Sequence, residues 1–188
     1  MSFVNKAFIR YAIKFISIFI LLYGGTYAFI GITAPGGKIY NEWLSLHLNY
    51  VNWLRAIILH GASFFTNLYG FVTVVPDDYT VSIPQLASVR IVYSCLGYGV
   101  LSFWIAFIMA NEVTNKMKLK WGIGGMILIL VSNMVRISFL LIGTAKKWPT
   151  LFKVDHHTVY SICNYLLIIA LIFFFNKRVN KNFRKANY

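Results

Sequence analysis

Three residues in the second half of the chain carry side chains that could together break a peptide bond. Cys95 could attack a carbonyl as a thiolate, and His157 could accept the thiol proton and later deliver one to the leaving amine. Arg136 could stabilise the developing oxyanion or hold the scissile segment. His156 is the alternative imidazole. The combination predicts hydrolysis or transfer of a peptide bond through a thioester.

Small and polar residues flank these three groups. Ser94 and Gly97 lie beside the thiol and Asn133 precedes Arg136 by one helical turn, so we assign them supporting roles, with Gly97 and Gly99 permitting close packing. The second cysteine, Cys163, is interpreted as a packed hydrophobic side chain. Without CxxC or Cys/His ligand spacing, we predict no metal, no cofactor and no disulfide framework.

The composition is that of an integral membrane protein. Of the 188 residues, 59% are hydrophobic and 12% charged, and the mean hydropathy is +0.66. The net charge of +13 comes largely from short basic clusters beside apolar runs, which orient membrane spans, so we predict no nucleic-acid partner. We predict a single integral-membrane domain over residues 1–188, an all-α polytopic bundle with four spans, followed by a basic tail at residues 176–188. The spans are residues 15–37, 91–110, 121–145 and 158–175.

The region between the first two spans, residues 38–89, has a different pattern. Aromatic and polar residues mix in it, and a stripe of polar residues that includes His60 recurs at helical spacing, which favours an interfacial or re-entrant helical element over a pair of short spans. Its last part alternates around Pro76, Asp77 and Asp78, which predicts a short β-hairpin. We expect Asp77, Asp78 and Tyr79 to border a substrate entrance.

Basic residues determine the predicted orientation. With the N-terminus, the loop at residues 116–120 and the tail in the cytoplasm, eleven of the 18 Lys and Arg residues lie inside and six outside, with Arg136 in the membrane. Arg136 then stands about 22 Å from the cytoplasmic boundary, in the outer leaflet. Cys95 and His157 fall at the outer ends of their spans. The three groups are therefore expected at one depth, near the extracytoplasmic face.

The pattern of these motifs resembles the exosortase/archaeosortase family of membrane-embedded cysteine transpeptidases. The matching stretches are SCLG at residues 94–97, NMVRI at residues 133–137 and HTVYS at residues 157–161, in the family's order. The family pattern expects a small residue four positions after the histidine, and Ser161 there favours His157 over His156. The position before the family cysteine is often acidic, whereas this chain has Ser94.

The resemblance implies a function at the surface of a bacterial or archaeal cytoplasmic membrane. Cys95, Arg136 and His157 would cleave a C-terminal sorting signal, made of a short motif, a hydrophobic helix and a basic tail, and could transfer the protein to a surface acceptor. The competing hypothesis is a non-enzymatic assembly factor or small transporter in which Arg136 binds an anionic lipid or ligand. It predicts that Cys95→Ala is tolerated and that Arg136→Ala is not.

Overall fold

The chain folds into long helices and one small sheet. The computed structural model describes the backbone of residues 2–148 and 156–186, and the side chains of residues 6–148, 162 and 164–181. Helix makes up 74% of the structure. The elements in chain order are α1 (Ser2–Thr33), α2 (Glu42–His47), α3 (Tyr50–Leu68), β1 (Val74–Asp77), β2 (Thr80–Ile83), β3 (Ala87–Arg90), α4 (Tyr98–Ala110), α5 (Asn115–Ala145) and α6 (His156–Ala186).

Two helices are long and apolar enough to cross a membrane. Within the described residues these are Lys6–Thr33 of α1 and Asn115–Ala145, which is all of α5. They correspond to the predicted spans 15–37 and 121–145, although α1 ends four residues earlier than predicted. The predicted span 158–175 falls inside α6 but is not one of the two, so it stays a prediction.

The predicted span at residues 91–110 is wrong as one continuous helix. Residues 91–92 are not helical, Tyr93–Leu96 form one 3₁₀ turn, and α4 begins only at Tyr98. Gly97 has φ +72°, a left-handed conformation that glycine adopts without steric cost and that breaks the helical path. The 13 residues of α4 extend about 20 Å, less than the ~30 Å hydrocarbon core of a bilayer.

The predicted hairpin is present, and a third strand extends it. β1 and β2 pair antiparallel around a turn at Asp78 and Tyr79, and β2 pairs antiparallel with β3 to give the order β1-β2-β3. The fold is therefore not all-α, because residues 87–90 continue the sheet and lead directly into the segment that contains Cys95. Val81 and Ile83 are buried on the inner face of β2, which anchors the sheet to the helices.

The polar stripe predicted between residues 49 and 67 lies along α3 and makes local hydrogen bonds. Asn49 caps the helix by accepting from the backbone N–H of Asn52 at 3.1 Å. At the other end, Asn67 Oδ1 accepts from the backbone N–H and the hydroxyl of Thr73 at 3.1 and 2.7 Å, which holds the loop that leads to β1. His60 is exposed.

Aromatic rings and small residues pack the helices together. Tyr23 of α1 stacks on Tyr98 at 5.4 Å between ring centroids. Between α4 and α5, the Trp104 indole lies against Gly125 and donates to the carbonyl of Trp121 at 3.2 Å. α3 and α5 are joined by a buried hydrogen bond of 2.9 Å between the hydroxyls of Thr66 and Ser138. α5 thus contacts most of the other elements and is the central helix of the fold.

Candidate functional site

The segment that carries Cys95 is held at both ends. Before it, the backbone N–H of Ile91 donates to the carbonyl of Tyr79 at 2.7 Å, and the Ile91 side chain is fully buried. After it, Leu96 is fully buried and Gly97 redirects the chain into α4. Cys95 is a free, half-buried thiol at the third position of the 3₁₀ turn, packed in part against the hydrophobic core. The turn is therefore a fixed platform at the start of α4.

Asn133 of α5 connects this platform to the central helix. Its side-chain Nδ2 donates to the backbone carbonyl of Cys95 at 2.8 Å, and Asn133 is only 3% exposed. A carbonyl can only accept, so the amide nitrogen has to face Cys95 and the amide oxygen faces the other way. That oxygen is buried and has no hydrogen-bond partner among the described residues. Gly97 lies beside the same amide, where an added Cβ would be 3.6 Å from Nδ2.

A cavity of about 190 Å³ opens next to this hydrogen bond. Four parts of the chain line it: the segment around Cys95, the first turn of α4, the middle of α5 and the first half of α6. Arg136 stands one helical turn after Asn133 on α5, and both residues line the cavity beside the segment that carries Cys95. The lining residues are Ser94, Gly97, Val100, Ile129, Asn133, Arg136, Asn164 and Tyr165.

The thiol itself is less central than predicted. Ser94 and Gly97 line the cavity on either side of Cys95, but Cys95 is not among the described lining residues. Its side chain is partly buried in the core cluster that includes Ile137 and Leu141. The cavity wall at this point is formed by the neighbours Ser94 and Gly97, while Cys95 packs toward the core.

The imidazole of the predicted trio lies outside the described side chains. His156 and His157 belong to the first turn of α6, and nothing about their side chains is described. The same is true of Cys163. On the same helix, Asn164 accepts a hydrogen bond of 3.0 Å from the Ser132 hydroxyl of α5 and lines the cavity. This bond joins α6 to α5 at the level of Asn133.

The predicted entrance residues form the tip of the hairpin and do not line the cavity in the described part of the chain. Asp77 Oδ1 accepts from the backbone N–H of Tyr79 at 2.8 Å, and Oδ2 accepts from the Thr80 hydroxyl at 3.1 Å. These hydrogen bonds favour the charged carboxylate and hold the pKa of Asp77 below its usual value. Asp77 therefore has a structural task in the turn. Asp78 is exposed.

Sequence reasoning missed the cavity-lining residues Asn164 and Tyr165 and, close to the site, Arg55. The charge count places Arg55 among the six basic residues outside the membrane, yet it is 1% exposed and lies beneath the hairpin. Its guanidinium carbon is 4.3 Å from the ring centroid of Tyr79 and 4.9 Å from that of Tyr93, and Nη1 donates to Asn52 Oδ1 at 2.6 Å. The sequence did contain a signal for this burial. Arg55 is a charged residue on the apolar face of α3, away from the polar stripe of that helix.

Comparisons with known proteins found no relative of this chain. No protein-family model, no curated protein and no solved structure matches it. The described residues contain no group of three or more His, Cys, Asp or Glu side chains that could hold a metal ion.

Proposed function

We propose that the protein is a membrane cysteine peptidase or transpeptidase that cleaves a C-terminal sorting signal of exported proteins, as the exosortase/archaeosortase resemblance implies. The observation that carries the proposal is the cavity lined by Ser94, Asn133 and Arg136, with Asn133 bonded to the Cys95 carbonyl. Two stretches of the family pattern, one around Cys95 and one from Asn133 to Arg136, thus lie beside the same cavity although they are distant in sequence. A cavity of about 190 Å³ is smaller than an ordinary ligand pocket, so it would hold only the atoms of a peptide next to the scissile bond.

The proposed reaction proceeds in two steps. The Cys95 thiol gives its proton to His157, and the sulfur attacks the scissile carbonyl carbon while Arg136 stabilises the oxyanion. The C–N bond then breaks, His157 protonates the leaving amine, and the substrate remains on Cys95 as a thioester. His157 then takes a proton from water or from a nucleophile of the surface acceptor, which attacks the thioester carbon. The C–S bond breaks to release an acid or the transferred product, and the Cys95 thiolate recovers its proton from His157. The half-buried thiol must first rotate toward the cavity.

Helix periodicity supports His157 as the imidazole. Position 157 lies seven residues, about two turns, before Asn164, so the two positions share one face of α6 and are about 10 Å apart along its axis. Asn164 lines the cavity. Position 156 is rotated away from that face by about 80°. We therefore retain His157 as the general acid and base, with His156 as its neighbour.

The proposed membrane placement combines the two apolar helices with the basic clusters. α1 and α5 cross the bilayer, both termini are cytoplasmic, and the site lies near the outer face of a bacterial or archaeal cytoplasmic membrane. α6 and residues 91–110, in which the 3₁₀ turn and the residues before it add to the roughly 20 Å of α4, complete a four-span bundle in this proposal. Residues 38–89 lie on the outer side at the interface, which suits the exposed aromatic rings of Trp43, Tyr50 and Trp53.

The decisive experiment traps the thioester. The chain is co-expressed with a nearby-encoded protein that ends in a short motif, one apolar helix and a basic tail, and hydroxylamine is added to intercept the acyl group. We expect the client to acquire a C-terminal hydroxamate with the parent enzyme and none with Cys95→Ala or Cys95→Ser. Cys163→Ser is the matched control and should process normally. Full processing by Cys95→Ala would refute the proposal.

One observation favours the competing function, a non-enzymatic assembly factor or small transporter. Arg136 lines the cavity together with the amide side chains of Asn133 and Asn164, whereas Cys95 is not among its described lining residues. Such a lining suits an anionic lipid headgroup or ligand. In this case Cys95→Ala retains function, Arg136→Ala loses it, and an outside thiol reagent leaves Cys95 unlabelled.

A further inference from the structure

Arg55 is the most buried charged side chain among the described residues, at 1% exposed. The described contacts of its guanidinium are all with uncharged groups: the Asn52 amide oxygen and the rings of Tyr79 and Tyr93. Its Nε is buried without a hydrogen-bond partner. Removing a cation from water and leaving one of its donors unpaired opposes folding. An apolar side chain of similar length would fill the same space at lower cost.

The two rings explain why a guanidinium is used. Tyr79 is at the tip of the hairpin, and Tyr93 is the first residue of the 3₁₀ turn that contains Cys95. A planar guanidinium can stack on two rings at once, which an ammonium or a methionine cannot do with the same directionality. Arg55 thereby joins α3 to the hairpin and to the Cys95 turn at a single point.

We propose that Arg55 is a positioning residue that holds the Cys95 turn in register with the hairpin through the Tyr79–Arg55–Tyr93 stack. The inference rests on the proposed function for its effect on turnover, but its effect on the thiol can be measured without a substrate. When the stack is broken, the turn loses this contact with α3, and the half-buried thiol becomes more accessible and less well placed for attack.

The test uses a Cys163→Ser background, in which Cys95 is the only cysteine. The rate of Cys95 alkylation by a maleimide is measured in detergent micelles for Arg55→Met and Arg55→Lys, together with the thermal unfolding midpoint. Arg90→Met is the matched control, because Arg90 contacts the same Tyr79 ring at 5.3 Å from an exposed position. We expect alkylation to accelerate about tenfold in both Arg55 variants and less than about twofold in the control.

A purely structural role would lower the unfolding midpoint without a selective change at the thiol. When a client protein has been identified, we expect Arg55→Lys to lower the kcat of client cleavage about tenfold while KM stays near the parent value. If an Arg55 variant fails to fold, Tyr93→Leu removes the ring on the Cys95 side while Tyr79 remains on the guanidinium, and the same acceleration is expected.

Parent-like alkylation in folded Arg55→Met, in folded Arg55→Lys or in Tyr93→Leu overturns the inference. This result leaves the proposed function intact, because that function depends on thioester trapping at Cys95. Conversely, accelerated alkylation in a protein whose Cys95→Ala variant still processes its client would support the positioning role and refute the peptidase.

Discussion

The Asn133 side chain donates a hydrogen bond of 2.8 Å to the Cys95 carbonyl, which joins residues 38 positions apart at the wall of the cavity. The bond ties the central helix to the turn that carries the thiol. It also orients the asparagine amide, because only the nitrogen end can donate to a carbonyl. Asn133 therefore acts on the backbone of the turn that carries Cys95.

Replacing Asn133 should loosen that turn. Asn133→Ala leaves the Cys95 carbonyl without its donor and should lower the free energy of unfolding by about 1–3 kcal/mol. Asn133→Asp, although nearly isosteric, places carboxylate oxygen against carbonyl oxygen and should destabilise at least as much. Chemical denaturation in mild detergent measures both. Parent-like stability of Asn133→Asp would contradict the bond.

Arg136 should matter for turnover more than for folding. Arg136→Gln removes the charge proposed to stabilise the oxyanion, and we expect kcat to fall by about 10²–10³-fold, with client binding less affected. The assay is client cleavage followed by mass spectrometry. Arg90→Gln, an exposed arginine at the end of β3, serves as the control and should stay near the parent rate. A loss of binding with unchanged kcat would favour the anion-binding alternative.

The tight packing of α4 on α5 gives a matched pair of glycine substitutions. A Cβ added at Gly125 would collide with the buried Trp104 indole, whereas a Cβ at Gly124 would meet nothing within 4 Å. Gly125→Ala should therefore destabilise by about 1–3 kcal/mol, and Gly124→Ala should be neutral or stabilising by up to about 1 kcal/mol. The thermal unfolding midpoints of the two variants test this. Equal midpoints would show that the indole can move aside.

The hairpin turn should weaken in acid. Because the folded-state pKa of Asp77 is below its ordinary value of 3.8, its contribution to stability is complete above that value and is lost as pH falls through the lower folded pKa. Hydrogen exchange at the Tyr79 amide, which donates to Asp77, should show protection that falls in this range. Asp77→Ala should remove the dependence, and Asp78→Asn should leave it unchanged.

Local patterns in the sequence determined much of the secondary structure. The prolyl-acidic triplet predicted the hairpin, because turn residues act through bonds to their own neighbours, as Asp77 does to Tyr79. Apolar runs located α1 and α5, since span length depends on composition along a single segment. The one-turn spacing of Asn133 and Arg136 likewise placed both on one side of α5, and both line the cavity.

Tertiary structure decided how the Cys95 segment is shaped and held. The sequence predicted a continuous span there, because hydropathy counts apolar residues and does not register the left-handed backbone at Gly97. The burial of Arg55 between Tyr79 and Tyr93 was equally invisible, since each partner comes from a different part of the chain. Whether a charge is tolerated in a core depends on the groups that surround it after folding. Those groups are brought together only by the packing of α3, the hairpin and the 3₁₀ turn.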